Sequence, residues 1–179
     1  MADEKNESLL QHLDNTQTNC LNEASHSNNT LRSILGAKTR NKNASAQLLS
    51  DADEQLILNL HFNQTVRPRS IVIHTSPAHI AQGPARIKLF INRPAIGFED
   101  VERAEEPDAA QVIDLTEEQV REGKPIPLRF VRFQSVTILH SNIGTEDVTR
   151  IDAVDVLGSS ASGGGTRDLS ALTTEEGPA

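Results

Sequence analysis

At Leu56 the apolar residues of this chain take up a period of two, and this limits the available folds more than any other feature. Leu56, Leu58, Leu60 and Phe62 alternate with Ile57, Asn59 and His61, the pattern of a strand with one face on a core. Two further runs, Ser70 to Thr75 and Arg86 to Asn92, also read as strands, with Ile87, Leu89 and Ile91 sharing one face of the second. A connection rich in Pro, Gly and Ala separates them. Val112, Ile113 and Leu115 predict another strand, behind an acidic loop that contains Glu102, Glu105, Glu106, Pro107 and Asp108. Thr116, Glu117, Glu118 and Gln119 then spell a capping box, the start of a short turn that ends at Gly123 and Pro125. Leu128 to Leu139 is the most apolar stretch and has apolar residues on both faces. It suits a central strand, or two strands meeting at a bulge near Gln134 and Ser135. A last strand runs from Ile151 to Leu157 and ends at Gly158.

Six or more short strands without long helices between them exclude a parallel α/β sheet, which needs helical crossovers. The expected fold is all-β, an antiparallel β-sandwich or jelly roll of about 110 residues, from roughly residue 50 to 158. Residues 1 to about 50 are rich in Asn, Ser, Thr and Gln and support short helices at most. One is expected over Leu31, Ile34 and Leu35, with an N-cap from the Ser27 to Thr30 stretch and Gly36 as a left-handed C-terminal cap. Ser159 to Ala179 is Ser/Gly-rich and then polar, which reads as a disordered tail.

Composition narrows the function classes. Asp and Glu number 25 against 17 Lys and Arg, a net charge of −8 with no basic block, so a nucleic-acid partner is not expected. No apolar run approaches the roughly 20 residues that cross a bilayer, and the charged N-terminus lacks a secretory signal, so an intracellular, membrane-free protein is expected; a monomeric state is expected as well. The single cysteine, Cys20, excludes an internal disulfide or a CxxC motif, and its role is expected to be packing.

The remaining chemistry-bearing residues do not form a catalytic or metal pattern. Asp51, Asp53 and Glu54 are carboxylates of the kind calcium prefers, but Gln55 and Leu56 stand where an EF-hand needs a ligand and a glycine. A turn whose carboxylates accept backbone N–H bonds, or pair with an arginine such as Arg150, is the better reading. His61, His74, His79 and His140 lie on separate segments and show no zinc spacing. Ser70, Ser135 and Ser141 lack a nucleophile elbow, and Gly163 to Gly165 is not a phosphate loop. Arg129 and Arg132, three apart on a strand, point to opposite faces unless a bulge intervenes. No catalysis, cofactor or metal is expected.

Taken together, these segments resemble the PITH domain family, the module named for the C-terminal part of a proteasome-interacting thioredoxin. The resemblance rests on Cys20-Leu21-Asn22-Glu23, Leu49 to Ile57, Ile87 to Asn92 with Pro94 and Phe98, Leu128 to Gln134, and Asn142, Gly144, Thr149-Arg150-Ile151-Asp152 and Gly158. It implies a galactose-binding-like β-sandwich jelly roll with short N-terminal helices, spanning residues 19–158 between an N-terminal extension (1–18) and the tail (159–179). The sequence does not include the thioredoxin domain of the namesake protein, so the expected likeness is to the stand-alone form. The resemblance also implies a non-enzymatic docking module of the cytoplasm and nucleus that associates with the proteasome regulatory particle. Asp51, Asp53, Glu54 and Arg150 are then the candidate partner-binding residues. The alternative is a small-ligand or carbohydrate-binding jelly roll, which the absence of Trp and Tyr disfavours, because sugar sites commonly stack a ring on an aromatic.

Overall fold

The structure, a computed structural model, describes residues 7–91, 97–103, 106, 109–129, 133–142 (backbone only) and 147–160. In chain order the elements of the first half are β1 (Glu7–Ser8), β2 (Asn19–Leu21), α1 (Leu31–Leu35), β3 (Leu48–Leu49), β4 (Ile57–His74) and β5 (Pro84–Ile91). The second half has α2 (Phe98–Glu102), β6 (Gln111–Asp114), α3 (Glu117–Glu122), β7 (Ile126–Pro127), β8 (Phe133–Asn142), β9 (Arg150–Ile151) and β10 (Ala153–Ser160). A single 3-10 turn covers Leu9–His12, and Pro77–Gln82 is two short 3-10 segments kinked at His79. Every strand pair is antiparallel, in the order β1-β10-β4-β8-β5-β6, with β2 and β7 also on β4 and a separate β3-β9 ribbon. This curled sheet is the expected β-sandwich jelly roll.

The strands predicted from Leu56 and from Ser70 are one strand, β4, of 18 residues. Val66 is buried in the intervening polar stretch and pairs on both sides, with Phe133 of β8 and Ser160 of β10. The first half of β4 pairs with β2 and β8 and the second with β7 and β10, so one strand serves both parts of the curl. Pro68, which has no N–H to donate, sits at the register shift between Leu157 and Gly158, where the ladder is already interrupted. Gly158 does not end the last strand; β10 runs to Ser160. A Cβ at Gly158 would lie 2.2 Å from the Arg67 carbonyl oxygen and 2.8 Å from the Pro68 Cα, so glycine is there for close backbone approach.

Period two places Leu58, Leu60 and Phe62 in the main core with Ile87, Leu89, Val154 and Val156. Ile57 faces the other way, into a smaller cluster with Phe90, Val101 and Ala109. Burial on both faces explains why Leu56, Ile57 and Leu58 are all fully buried. In β8, Phe133 pairs with Val66 and Ser135 with His61. The irregularity expected near Gln134 therefore exists, but the excess lies on β4, where residues 62–65 stand against Gln134 alone.

Two expectations for the N-terminal part need adjustment. Residues 7–18 are not an extension outside the domain, because β1 adds to β10 and Leu9, Leu10 and Leu13 are fully buried in the main core. α1 starts at Thr30, whose side chain accepts from the Ser33 N–H, but Gly36 is right-handed, with φ −60°. Lys38 takes the left-handed conformation instead, with φ 62°. In contrast, α3 has the predicted capping box of Thr116 and Gln119 and ends on left-handed Gly123.

Candidate docking surface

The turn that carries Asp51, Asp53 and Glu54 is built by a residue 30 positions earlier. Asn22 follows β2 and takes a left-handed conformation, with φ 69°, which asparagine tolerates better than most side chains. That conformation aims its amide across the turn. Nδ2 donates to Asp53 Oδ1 (2.9 Å) and to the Gln55 carbonyl (2.7 Å), while Oδ1 accepts from the Ala52 N–H (3.0 Å). The Asn22 backbone carbonyl takes the Asp51 N–H at 2.9 Å, and Asp53 Oδ1 also accepts from the Gln55 N–H at 3.0 Å.

The base of the turn is fixed from the other side. Buried Ser50 and Thr149 exchange N–H bonds, Ser50 N to Thr149 O at 3.0 Å and Thr149 N to Ser50 Oγ at 2.9 Å. Thr149 Oγ1 then donates to the Glu54 carbonyl at 2.6 Å. Glu23, bridged to Ser50, turns its carboxylate to the Leu31 N–H at 2.8 Å and so caps α1.

The four candidate residues therefore separate. Asp53 is a bracing residue within the turn, and its carboxylate accepts the Gln55 backbone N–H, the kind of bond predicted, together with the Asn22 amide. Asp51 is exposed and Glu54 partly exposed, and among the described residues neither carboxylate has an ion-pair partner. Arg150 does not pair with the turn. Its guanidinium binds Asp152 (Nη2 to Oδ1, 2.9 Å), both side chains are more than four-fifths covered, and Asp152 Oδ2 accepts from the Ser76 N–H at 2.9 Å. The reason is local, since residues two apart on a strand share a face. Beside the turn, Leu21 of β2 is an exposed large apolar side chain, 39% accessible.

Other sequence candidates are structural. Burial pushes the Cys20 thiol pKa up, and the nearby Glu23 carboxylate adds to this, so the thiol is not an activated nucleophile. His74 Nδ1 lies 3.1 Å from the Val120 carbonyl and His12 Nδ1 2.7 Å from Gln64 Nε2. Among the described residues no three His, Cys, Asp or Glu side chains are grouped to hold a metal, and no helix is long and apolar enough to cross a membrane. Arg129 is exposed and paired with Glu106, whose carboxyl is held below its ordinary range first by the Val112 N–H and then by Arg129. Arg132 and the His140 side chain lie outside the described residues. Sequence reasoning missed Asn22 as the organiser of the turn, although an Asx residue is the type that tolerates the left-handed region. It also missed Lys88, buried on β5 with Nζ donating to the Val101 and Glu102 carbonyls at the end of α2 (3.2 and 3.0 Å).

Fold and turn together define a class: a galactose-binding-like β-sandwich that holds an acidic turn by hydrogen bonds at one end of β4. Solved structures with the same fold include an F-lectin from striped bass serum, with TM-score 0.55 and 13% identity over 87% of this chain and 49% of that one. A family 32 CBM from Clostridium perfringens NanJ, solved with galactose, has TM-score 0.58 and 10% identity over 84% of this chain and 97% of that one. The chain itself belongs to the PITH domain family, whose model matches residues 1–178. It is 38% identical to thioredoxin-like protein 1 of Schizosaccharomyces pombe over 82% of this chain and 49% of that protein, so it spans about half the relative's length. A PITH domain-containing protein of Drosophila melanogaster is 34% identical over 84% of this chain and 69% of that one.

Proposed function

We propose that this chain is a non-catalytic docking module whose acidic turn engages a protein partner, and that the partner is the proteasome regulatory particle, met in the cytoplasm and nucleus. The observation that carries the docking reading is the contrast within the turn. The backbone is held by hydrogen bonds to Asn22 and Thr149, whereas the carboxylates of Asp51 and Glu54 have no described partner. Charges on a pre-ordered turn can meet a partner without the entropy cost of ordering a loop. Exposed Leu21 alongside supplies apolar area of the kind interface centres use. Membership of a family named for a proteasome-interacting thioredoxin supports the choice of partner. The sugar-binding reading gains little from the fold neighbours, because likeness at 10 and 13% identity carries architecture and not sites. Among the described residues Phe62 and Phe90 are buried and Phe98 is half-buried, which leaves no fully exposed ring to stack on a sugar.

The test is recovery of proteasome subunits on the tagged full chain from cell lysate. Asp51→Lys with Glu54→Lys should abolish recovery and leave the melting temperature nearly unchanged, since charges at exposed positions act on association more than on folding. Undiminished recovery by the double variant would remove the turn from the interface, and no recovery by the unmodified chain would remove the proteasome.

A further inference from the structure

The strongest unassigned feature is an open groove of about 790 Å³ between the segment that follows α1 and the β1-β10 edge, lined by Ser8, Ile34, Lys38, Arg40, Lys42 and Asp155 among others. Its volume lies in the usual range for ligand sites. In a chain of net charge −8, three cations at alternate positions along one loop are a local reversal of sign.

Arg40 is arranged as an anion receptor. Asp155, only 3% exposed on β10, gives one carboxylate oxygen to Ser8 Oγ at 2.7 Å and the other to Arg40 Nε at 3.0 Å. With both oxygens engaged, Asp155 holds the guanidinium by Nε alone. The two terminal amino groups of Arg40 have no hydrogen-bond partner among the described residues, and its side chain remains 39% exposed. Lys38 and Lys42 have no ion pair among the described residues. Asn41 pins the loop between them, donating from Nδ2 to the Ala46 and Asp152 carbonyls, each at 2.9 Å. The cations are thus carried on a braced segment, and a buried carboxylate aligns the middle one.

From this arrangement we infer that the groove binds an acidic peptide segment of a partner protein, with Lys38, Arg40 and Lys42 receiving its carboxylates and Ile34 at its floor. Three separate cations lining one open groove offer contacts to successive carboxylates of a peptide, more than a single compact anion would use. A nucleic acid would meet only three cations and then the repulsion of the remaining surface. The site uses none of the acidic-turn residues and stands or falls separately from the proteasome reading.

Fluorescein-labelled hexaglutamate, titrated against the full chain and followed by anisotropy, tests this, with hexaglutamine as the uncharged control. Hexaglutamate should bind and hexaglutamine should not, and the affinity should fall steeply between about 20 mM and about 200 mM salt. Lys38→Glu with Lys42→Glu should weaken binding by at least roughly tenfold without moving the melting temperature. Lys42→Gln, a milder change at an exposed position, should give a smaller loss in the same direction. Equal binding of both peptides, or binding indifferent to the lysine variants, would overturn the inference. So would inorganic phosphate displacing the peptide at equal charge concentration, which would make the site a simple anion site. If the unmodified chain fails to bind and Asp168→Asn with Glu175→Gln and Glu176→Gln restores binding, the chain's own tail is the occupant and the partner reading is wrong.

Discussion

Asn22→Asp is the sharpest test of how the acidic turn is held, because it changes one group at constant shape. The replacement keeps an oxygen for the Ala52 N–H and keeps the residue type's tolerance of the left-handed region, but it removes the donors now facing Asp53 Oδ1 at 2.9 Å and the Gln55 carbonyl at 2.7 Å. Two lost hydrogen bonds at a largely exposed site cost about 1 kcal/mol each. Two carboxylates held near contact in a high dielectric add about 1 kcal/mol of repulsion. A deficit of about 3 kcal/mol at neutral pH lowers the melting temperature of a domain this size by about 6 to 12 °C. The pH dependence has a definite sign. Asp53 raises the pKa of the new carboxyl in the folded state above its unfolded value of about 3.9, so the folded variant holds its proton more tightly. Relative stability is then recovered as pH falls through that raised value and is lost as pH rises through it. Urea unfolding followed by circular dichroism at several pH values should show the deficit shrinking towards pH 4. A variant within about 0.5 kcal/mol of the parent at neutral pH, or a deficit that does not change with pH, would refute the Asn22 clamp.

Leu60→Ala should cost about 2 to 5 kcal/mol by denaturant unfolding, because Leu60 is fully buried on the core face of β4 and little around it can collapse; partner recovery should fall only with folding. Gly158→Ala should destabilise by about 1 to 3 kcal/mol, since its Cβ meets the β4 backbone, and an unchanged melting temperature would show that the two strands part freely. Asp14 should titrate below an unfolded aspartate, because the Thr16 side chain first and then Gln17 hydrogen-bond its carboxylate. Its contribution is present above the unfolded pKa and is lost as pH falls through the folded one, and Thr16→Val should move its NMR midpoint upward.

The strands were legible where burial is one-sided and local. In β4 from Leu56 to Phe62, and in β5 at Ile87, Leu89 and Ile91, alternation follows directly from a sheet with one face on a core. The α3 capping box was legible for the same reason, as all its hydrogen bonds close within four residues. Reading failed where pairing is long-range. The polar stretch from Asn63 to Arg69 breaks the apolar pattern, yet the strand continues through it to Val66, which pairs with β8 and β10, and to Arg67 and Pro68, which pair with β10. Leu9, Leu10 and Leu13 carry too little pattern to claim a place in the core, and only the addition of β1 to β10 brings them there.

The candidate site divides in the same way. Sequence alone determined that Asp51, Asp53 and Glu54 would form a polar turn ahead of the first long strand, because composition and the onset of period two are local signals. It also determined the all-β class, through strands too closely spaced for crossovers. Tertiary structure alone decided which carboxylate braces the turn and which two remain open, since the choice depends on Asn22, 31 residues before Asp53. It alone paired Arg150 with Asp152 and set Arg40 on Asp155 across 115 residues. Side-chain partners at such separations are selected by strand order and register, and these arise from the packing of the whole sheet, which no local stretch of sequence specifies.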